Sequence, residues 1–155
     1  MAHRRPRFDA AINYKTADDY RAALDEAAPD GVDVYYDNVG GPITDAVFTK
    51  LNLDARVAVC GQIAHYNDEG VPTGPRKLPQ LIAVRAKVEG LLVGDFATRF
   101  GEASERLGQW VASGELEHRE TVVDGLENAP DAFLGLFAGD NIGKQVVRVS
   151  SADGE

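Results

Sequence analysis

Sulfur is nearly absent from this chain of 155 residues, which holds one cysteine, Cys60, and one methionine. A single cysteine excludes an intrachain disulfide and makes a reducing, cytoplasmic compartment the expectation. Histidine is sparse as well. His3, His65 and His118 lie far apart with no cysteine at ligand spacing, so no metal site is expected. Long hydrophobic runs are missing: no apolar stretch approaches the roughly 20 residues that cross a bilayer, and the opening "MAHRRPRFDA" lacks the apolar segment of a secretory signal. Positive charge is in deficit, with 16 Lys and Arg against 25 Asp and Glu, a net charge of −9. An acidic surface repels phosphates at long range, which excludes nucleic acid and an anionic membrane as main partners. Any bound phosphate must be held by local dipoles or a few placed cations. Neither an internal repeat nor a low-complexity linker is present.

What is present has the balance of a soluble globular domain: 44% hydrophobic and 26% charged residues in a length that suits about one domain. Strand-like runs alternate with helical periods. "AAINY" (10–14) reads as a short strand. "TADDYRAALDEAAPDG" reads as a helix capped by Thr16 or Asp18, with Tyr20, Ala23, Leu24 and Ala27 on one face and Pro29 and Gly31 ending it. A strand at 32–38, a helix over "PITDAVFTKLN" with Pro42 in its first turn, and a strand "RVAVCG" (56–61) continue a βαβαβ rhythm. Residues 62–76 are too rich in glycine, proline and polar residues for regular structure, and a loop of that length is usually functional or mobile. A short helix near 78–85, a strand at 87–96, a helix over 99–113, a strand "ETVVDG", a helix "LENAPDAFLGLFAG" and a closing strand "KQVVRVS" complete the pattern. Short hydrophobic strands with intervening helices predict an α/β fold built on a parallel sheet, with ligands beyond the carboxyl ends of the strands.

"DVYYDNVGG" (33–41) sharpens that expectation. A core-type strand runs straight into Asp37, Asn38 and the Gly40-Gly41 pair. Asn38 can simply cap the next helix, with the glycines as a turn. If strands 32–38 and 56–61 are parallel neighbours, however, "DNVGG" and "CGQIAHYN" leave the sheet at one edge and their polar groups converge, with glycines that let a flat or charged ligand approach the backbone. Cys60 reads as a small buried hydrophobe, since no cationic neighbour favours its thiolate. His65 reads as a solvated loop histidine, because nothing in the sequence pairs it. "GDNIGK" lacks P-loop spacing and reads as a helix stop before a strand. The acidic clusters "ADDY" and "NDE" read as solvated surface.

"FDAAINYKT", "DGVDVYYDNVGG", "CGQIAHYN", "ENAPDAF" and "GDNIGKQVV", in this order from about Phe8 to Val149, resemble the carboxyl-terminal half of the zinc-independent medium-chain dehydrogenase/reductases. The group most similar contains the leukotriene B4 12-hydroxydehydrogenase, prostaglandin reductase and curcumin reductase type. The resemblance implies a partial Rossmann-type, doubly wound parallel sheet over 8–113. It also implies a segment, 114–150, that in the family packs back on the substrate domain. It further implies NADP(H) as cofactor, reduction of a carbon–carbon double bond in an enone or 2-alkenal, and a homo-oligomer, most simply a dimer.

By position, Tyr14 is similar to a tyrosine beside the adenosine half of the cofactor, and Asn38 to an asparagine that contacts the dinucleotide at a strand end. The stretch Cys60, Gly61, Gln62, Ile63, Ala64, His65 and Tyr66 resembles the cofactor loop. Leu91, Leu92 and Val93 resemble the segment beside the nicotinamide, and Asn141 a late asparagine that reaches the cofactor. Hydride addition at the β-carbon builds negative charge on the carbonyl oxygen, so the Tyr66 phenol is the candidate catalytic donor. A loop tyrosine packing its ring on the sheet edge is the structural alternative.

The chain also departs from the family. No G-x-G-x-x-G follows a predicted strand, so the helix-dipole site for a pyrophosphate is missing, and "MAHRRPR" stands where the first βαβ unit would lead in. Strand 10–14 is then expected to lose its neighbours, and "ETVVDG" and "KQVVRVS" to lose theirs. Two classes stay open. One is a reductase present as a carboxyl-terminal part that needs its other half for activity. The other is a non-catalytic α/β module that oligomerises through exposed strands, with weak or no dinucleotide affinity.

Overall fold

A computed structural model describes residues 8–150. They fall into two compact units, one ending at Phe100 and the other beginning at Gly101.

The first unit is built on three parallel strands, β1 (Val32–Asp37), β2 (Leu51–Val59) and β3 (Lys87–Gly90), in the order β1-β2-β3. Helix α1 (Tyr20–Ala27) precedes them, and α2 (Gly41–Val47) and α3 (Leu78–Val84) connect them. The fold class is α/β with parallel sheets, as the alternation of the sequence requires. Its boundaries differ in several places. Residues 10–14 form no strand: Asn13 turns the chain, its carbonyl accepting from the amides of Thr16 and Ala17 and its side chain from Lys15. A polar side chain that bonds its own backbone competes with a sheet ladder, and the two alanines bring little to pack. The helix cap is Asp19, not Thr16 or Asp18. Its extended backbone aims the carboxylate at the amides of Arg21 (2.8 Å) and Ala22 (3.3 Å).

After α2 the chain turns at once into β2, so that strand starts at Leu51 rather than 56, and the helix expected over 42–52 already ends at Val47. A register jump absorbs the extra residues: Val32 faces Leu51, but Val34 faces Arg56. Asp54, with φ of 61°, supplies the left-handed backbone of this bulge. The bulge lets both Leu51 and Ala55 enter the core beside Val47 and Val57. Leu24, Tyr35, Phe48, Leu81 and Val84 pack around them, so α1, α2 and α3 are all tied to one small cluster. β3 ends at Gly90, and the residues expected to extend it to 96 wind instead into a 3-10 segment over Val93–Arg99. On the opposite face of β1, Val34 and Tyr36 are 72% and 61% exposed.

The second unit holds all of α4 (Phe100–Ser113) but its first residue, followed by β4 (Glu120–Asp124), α5 (Ala129–Ala138) and β5 (Lys144–Arg148). β4 and β5 find each other, pairing in parallel over all five residues from Glu120↔Lys144 to Asp124↔Arg148. Arg148 closes the far end on Asp124 at 2.7 Å. Gly143 opens the near end with φ of 73°, where a Cβ would strike the Arg119 carbonyl. Gly139, in the left-handed region, stops α5. Among the described residues no helix is long and apolar enough to cross a membrane.

Because the core is small, truncation there is expected to be severe. Leu51→Ala should cost about 2–5 kcal/mol in denaturant unfolding. Leu92→Ala, at a position 67% exposed, should leave the midpoint almost unchanged.

Candidate functional site

Parallel pairing aligns the ends of the three strands. Asp37 faces Val59, and Val59 faces Gly90, so all three exits leave one edge of the sheet. The exits are bonded to one another. The Asp37 carbonyl accepts from the amides of Cys60 (2.7 Å) and Gly61 (3.2 Å), the Val39 carbonyl from Ala64 (2.9 Å), and the Val59 carbonyl from Leu91 (2.8 Å).

Asp37 stands at the centre, with 1% of its surface exposed. One carboxylate oxygen accepts from the amides of Val39 (3.0 Å) and Gly40 (2.9 Å) and from the Tyr35 hydroxyl (3.1 Å). The other accepts from the Thr44 hydroxyl (2.8 Å) and from Nε2 of Gln62 (2.9 Å). Burial opposes the charge on this carboxylate, but the Gly40 amide, the Thr44 hydroxyl, the Val39 amide and the Gln62 amide together outweigh it and hold its pKa below the ordinary value. Sequence reasoning passed over Asp37, Thr44 and Tyr35. The signal was available: an aspartate one residue before Asn-Val-Gly-Gly, with a threonine seven positions on, has the spacing for a carboxylate that caps its own turn.

The glycines prove to serve this junction. A Cβ on Gly40 (φ 77°) would collide with the Gln62 side chain, one on Gly41 would meet the Ala64 methyl at 3.2 Å, and one on Gly61 would sit 2.6 Å from Oδ1 of Asn38. Protein, not open space, occupies the room their missing side chains leave. Packing between the loops thus accounts for glycine at these positions.

The other candidates divide by position. Asn38 lies at the exit of β1 with an exposed side chain, against Gly61. Ile63–His65 form one 3-10 turn that ends in Tyr66, and Ile63 (60%) and Tyr66 (72%) are largely exposed. Leu91 is half-buried beside the end of β2, while Leu92 and Val93 stand out from the same edge. Asn38, Cys60 to Tyr66 and Leu91 to Val93 are thus gathered at one sheet edge. Tyr14 is elsewhere in this unit, in the turn ahead of α1, where its carbonyl accepts the Tyr20 hydroxyl at 3.1 Å. Asn141 belongs to the second unit and donates its amide to the Gly143 carbonyl at 2.7 Å.

Two expectations fail on local contacts. Cys60 is exposed, not buried. It lies just beyond β2 beside Tyr36, and the thiol contact raises the pKa of that phenol, with partial burial adding to it. His65 is paired after all: its Nδ1 lies 2.8 Å from the Asp68 carboxylate, three residues on within the loop. "NDE" accordingly contributes a hydrogen-bond partner rather than surface alone. His3 lies outside the described residues.

Comparison with known proteins fixes the family. Residues 7–147 match the zinc-binding dehydrogenase family. The chain belongs to it. Within that family it corresponds to the carboxyl-terminal portion of the zinc-independent medium-chain reductases, and the sheet is a partial Rossmann-type fold. The chain is 42% identical over 151 residues to the NADPH-dependent curcumin reductase of Escherichia coli, which covers 94% of this chain and 44% of the reductase. It is 46% identical over 143 residues to the NADP(+)-dependent 2-alkenal reductase of Nicotiana tabacum, covering 92% and 41% respectively. The crystal structure of CurA from Vibrio vulnificus in complex with NADPH superimposes with a TM-score of 0.82 at 41% identity, over 93% of this chain and 44% of that one. The chain thus spans less than half the length of the curated relatives it matches. As for the metal in the family's name, no group of three or more His, Cys, Asp or Glu side chains among the described residues could hold an ion.

Because its folded pKa lies below the unfolded value, Asp37 stabilises the fold fully above about pH 4, and that contribution is lost as pH falls through the lower folded value. Asp37→Asn should cost about 1.5–3 kcal/mol at pH 7 in urea unfolding. The gap between wild type and variant should narrow as the pH falls below about 4; a gap independent of pH would contradict the charge assignment.

Proposed function

We propose that this chain forms the strand-exit half of a dinucleotide site in an NADP(H)-dependent reductase of enones and 2-alkenals. The observation that carries the reading is the convergence of three parallel strand ends on one edge, bearing an exposed amide, a phenol and apolar side chains. The edge suits a flat, partly polar ligand. Ile63, Leu92 and Val93 offer apolar contact for an aromatic ring, and the Asn38 amide offers both a donor and an acceptor. Tyr14 and Asn141 are assigned to the same cofactor by the family resemblance. The bound nicotinamide would supply the hydride. The Tyr66 phenol donates a hydrogen bond to the substrate carbonyl oxygen, where negative charge grows as the β-carbon is reduced. Its exposure leaves the hydroxyl open to an incoming substrate.

The relatives are more than twice as long as this chain, and the reading assigns activity to the chain joined by a complementary amino-terminal half that brings the pyrophosphate cradle. The free outer edge of β1, with Val34 and Tyr36 exposed beside it, is where further strands would add to the sheet. Dimerisation and a cytoplasmic location complete the proposal, the latter resting on a lone, exposed thiol.

Titration with NADPH, followed by cofactor fluorescence, should show weak saturable binding to the 155-residue chain and no turnover of simple alkenals. Co-expression with an amino-terminal half of a relative should restore turnover. In that assembly Tyr66→Phe should lower kcat by about a hundredfold and leave NADPH affinity intact. Absence of any NADPH binding in both preparations would overturn the assignment.

A further inference from the structure

The resemblance places Gln62 among the cofactor contacts, yet its side chain is turned into the protein. Nε2 donates to the buried Asp37 carboxylate at 2.9 Å and to the Gly61 carbonyl at 3.0 Å. The remainder of the amide packs on Gly40, where no other residue type would leave room for it. This side chain therefore spans from the loop that carries Tyr66 to the loop that carries Asn38.

We propose that Gln62 is a positioning residue: clamped on Asp37, it sets the register between the two loops and so fixes the separation of the Asn38 amide and the Tyr66 phenol. The inference rests on the dinucleotide reading of the same edge and specifies how that edge is held rigid. Four facts point the same way. The carboxylate is buried and charged, so a hydrogen bond to it is among the strong ones and is poorly replaced by water. Backbone bonds between the loops come from Cys60 and Gly61 before Gln62 and from Ala64 after it, so the Gln62 side chain is the tie in the middle of that span. Gln62 stands immediately before the 3-10 turn of Ile63–His65 that ends in Tyr66. Asp37 itself is anchored from its own side by Thr44 and Tyr35, so the clamp has a fixed end and a guided end.

Two variants test this. Gln62→Met keeps length and bulk but removes the donor. Gln62→Glu sets a second carboxylate against Asp37, and that carboxylate regains a donor only when protonated. Amide hydrogen exchange read by mass spectrometry reports the clamp without any ligand. In Gln62→Met, exchange over residues 37–41 and 60–66 should rise by about tenfold, the order expected for loss of a hydrogen bond to a charged group, with the thermal midpoint lowered by about 3–5 °C. NADPH affinity should fall by a similar factor. Gln62→Glu should behave like Gln62→Met at pH 7.5 and recover both protection and affinity toward pH 5, a reversal that a merely structural packing defect would not show. Unchanged exchange in Gln62→Met overturns the clamp. Raised exchange with unchanged NADPH affinity overturns the positioning role. If wild-type chain binds no NADPH at all, the dinucleotide reading fails, while the exchange data still decide whether the clamp exists.

Discussion

One buried carboxylate governs this edge of the molecule. Asp37 cannot stay charged at 1% exposure unless donors surround it, and the chain provides five: two amides from its own turn, hydroxyls from Tyr35 and Thr44, and the Gln62 amide. Each donor comes from a different commitment of the backbone. Val39 and Gly40 must turn sharply, Thr44 must lie in the first turns of α2, and Gln62 must arrive from the end of β2. Satisfying one charge therefore fixes the exit of β1, the start of α2 and the approach of the neighbouring loop together. The positive φ values of Gly40 and Gly41 follow from that demand.

The parallel sheet gives this junction its meaning. In an antiparallel pair, the end of one strand lies beside the start of the next, and the two exits would point apart. Parallel pairing places Asp37, Val59 and Gly90 in a row, so that three loops meet where no further strand residues compete for space. The register jump opposite Val32–Val34 operates at the other end of the same strands, where it draws Leu51 and Ala55 into the core. Irregularity is thus kept away from the edge that carries the candidate site, and the last four pairs of β1 with β2 run in regular step.

Much of this was legible in the sequence. Alternation of short apolar runs with helical periods gave the α/β class and the parallel order, and the family motifs gave the partial Rossmann-type fold. Boundaries were less legible where tertiary contacts decide them. No local rule told that β2 would begin at Leu51, because the bulge at Asp54 is repaid only by burial against α2 and α3. The strand expected at 10–14 failed for the opposite reason: Asn13 makes its own turn in a stretch with little to bury. At the site, the exits were found but the close packing around their glycines was not. A glycine that makes room for a ligand and one that makes room for a glutamine side chain look alike in one dimension. Similarly, the His65–Asp68 contact needs the 3-10 turn to bring its partners together, and that turn lies in a stretch whose composition suggested no regular structure.

Cys60 carries a practical corollary. It is the one sulfhydryl in the chain, it faces solvent, and it sits just past β2 between Tyr36 and the turn toward Tyr66. A maleimide dye or nitroxide would thus attach at a single defined point on the rim of the strand exits, turning events at that rim into an optical or magnetic signal without any engineered handle.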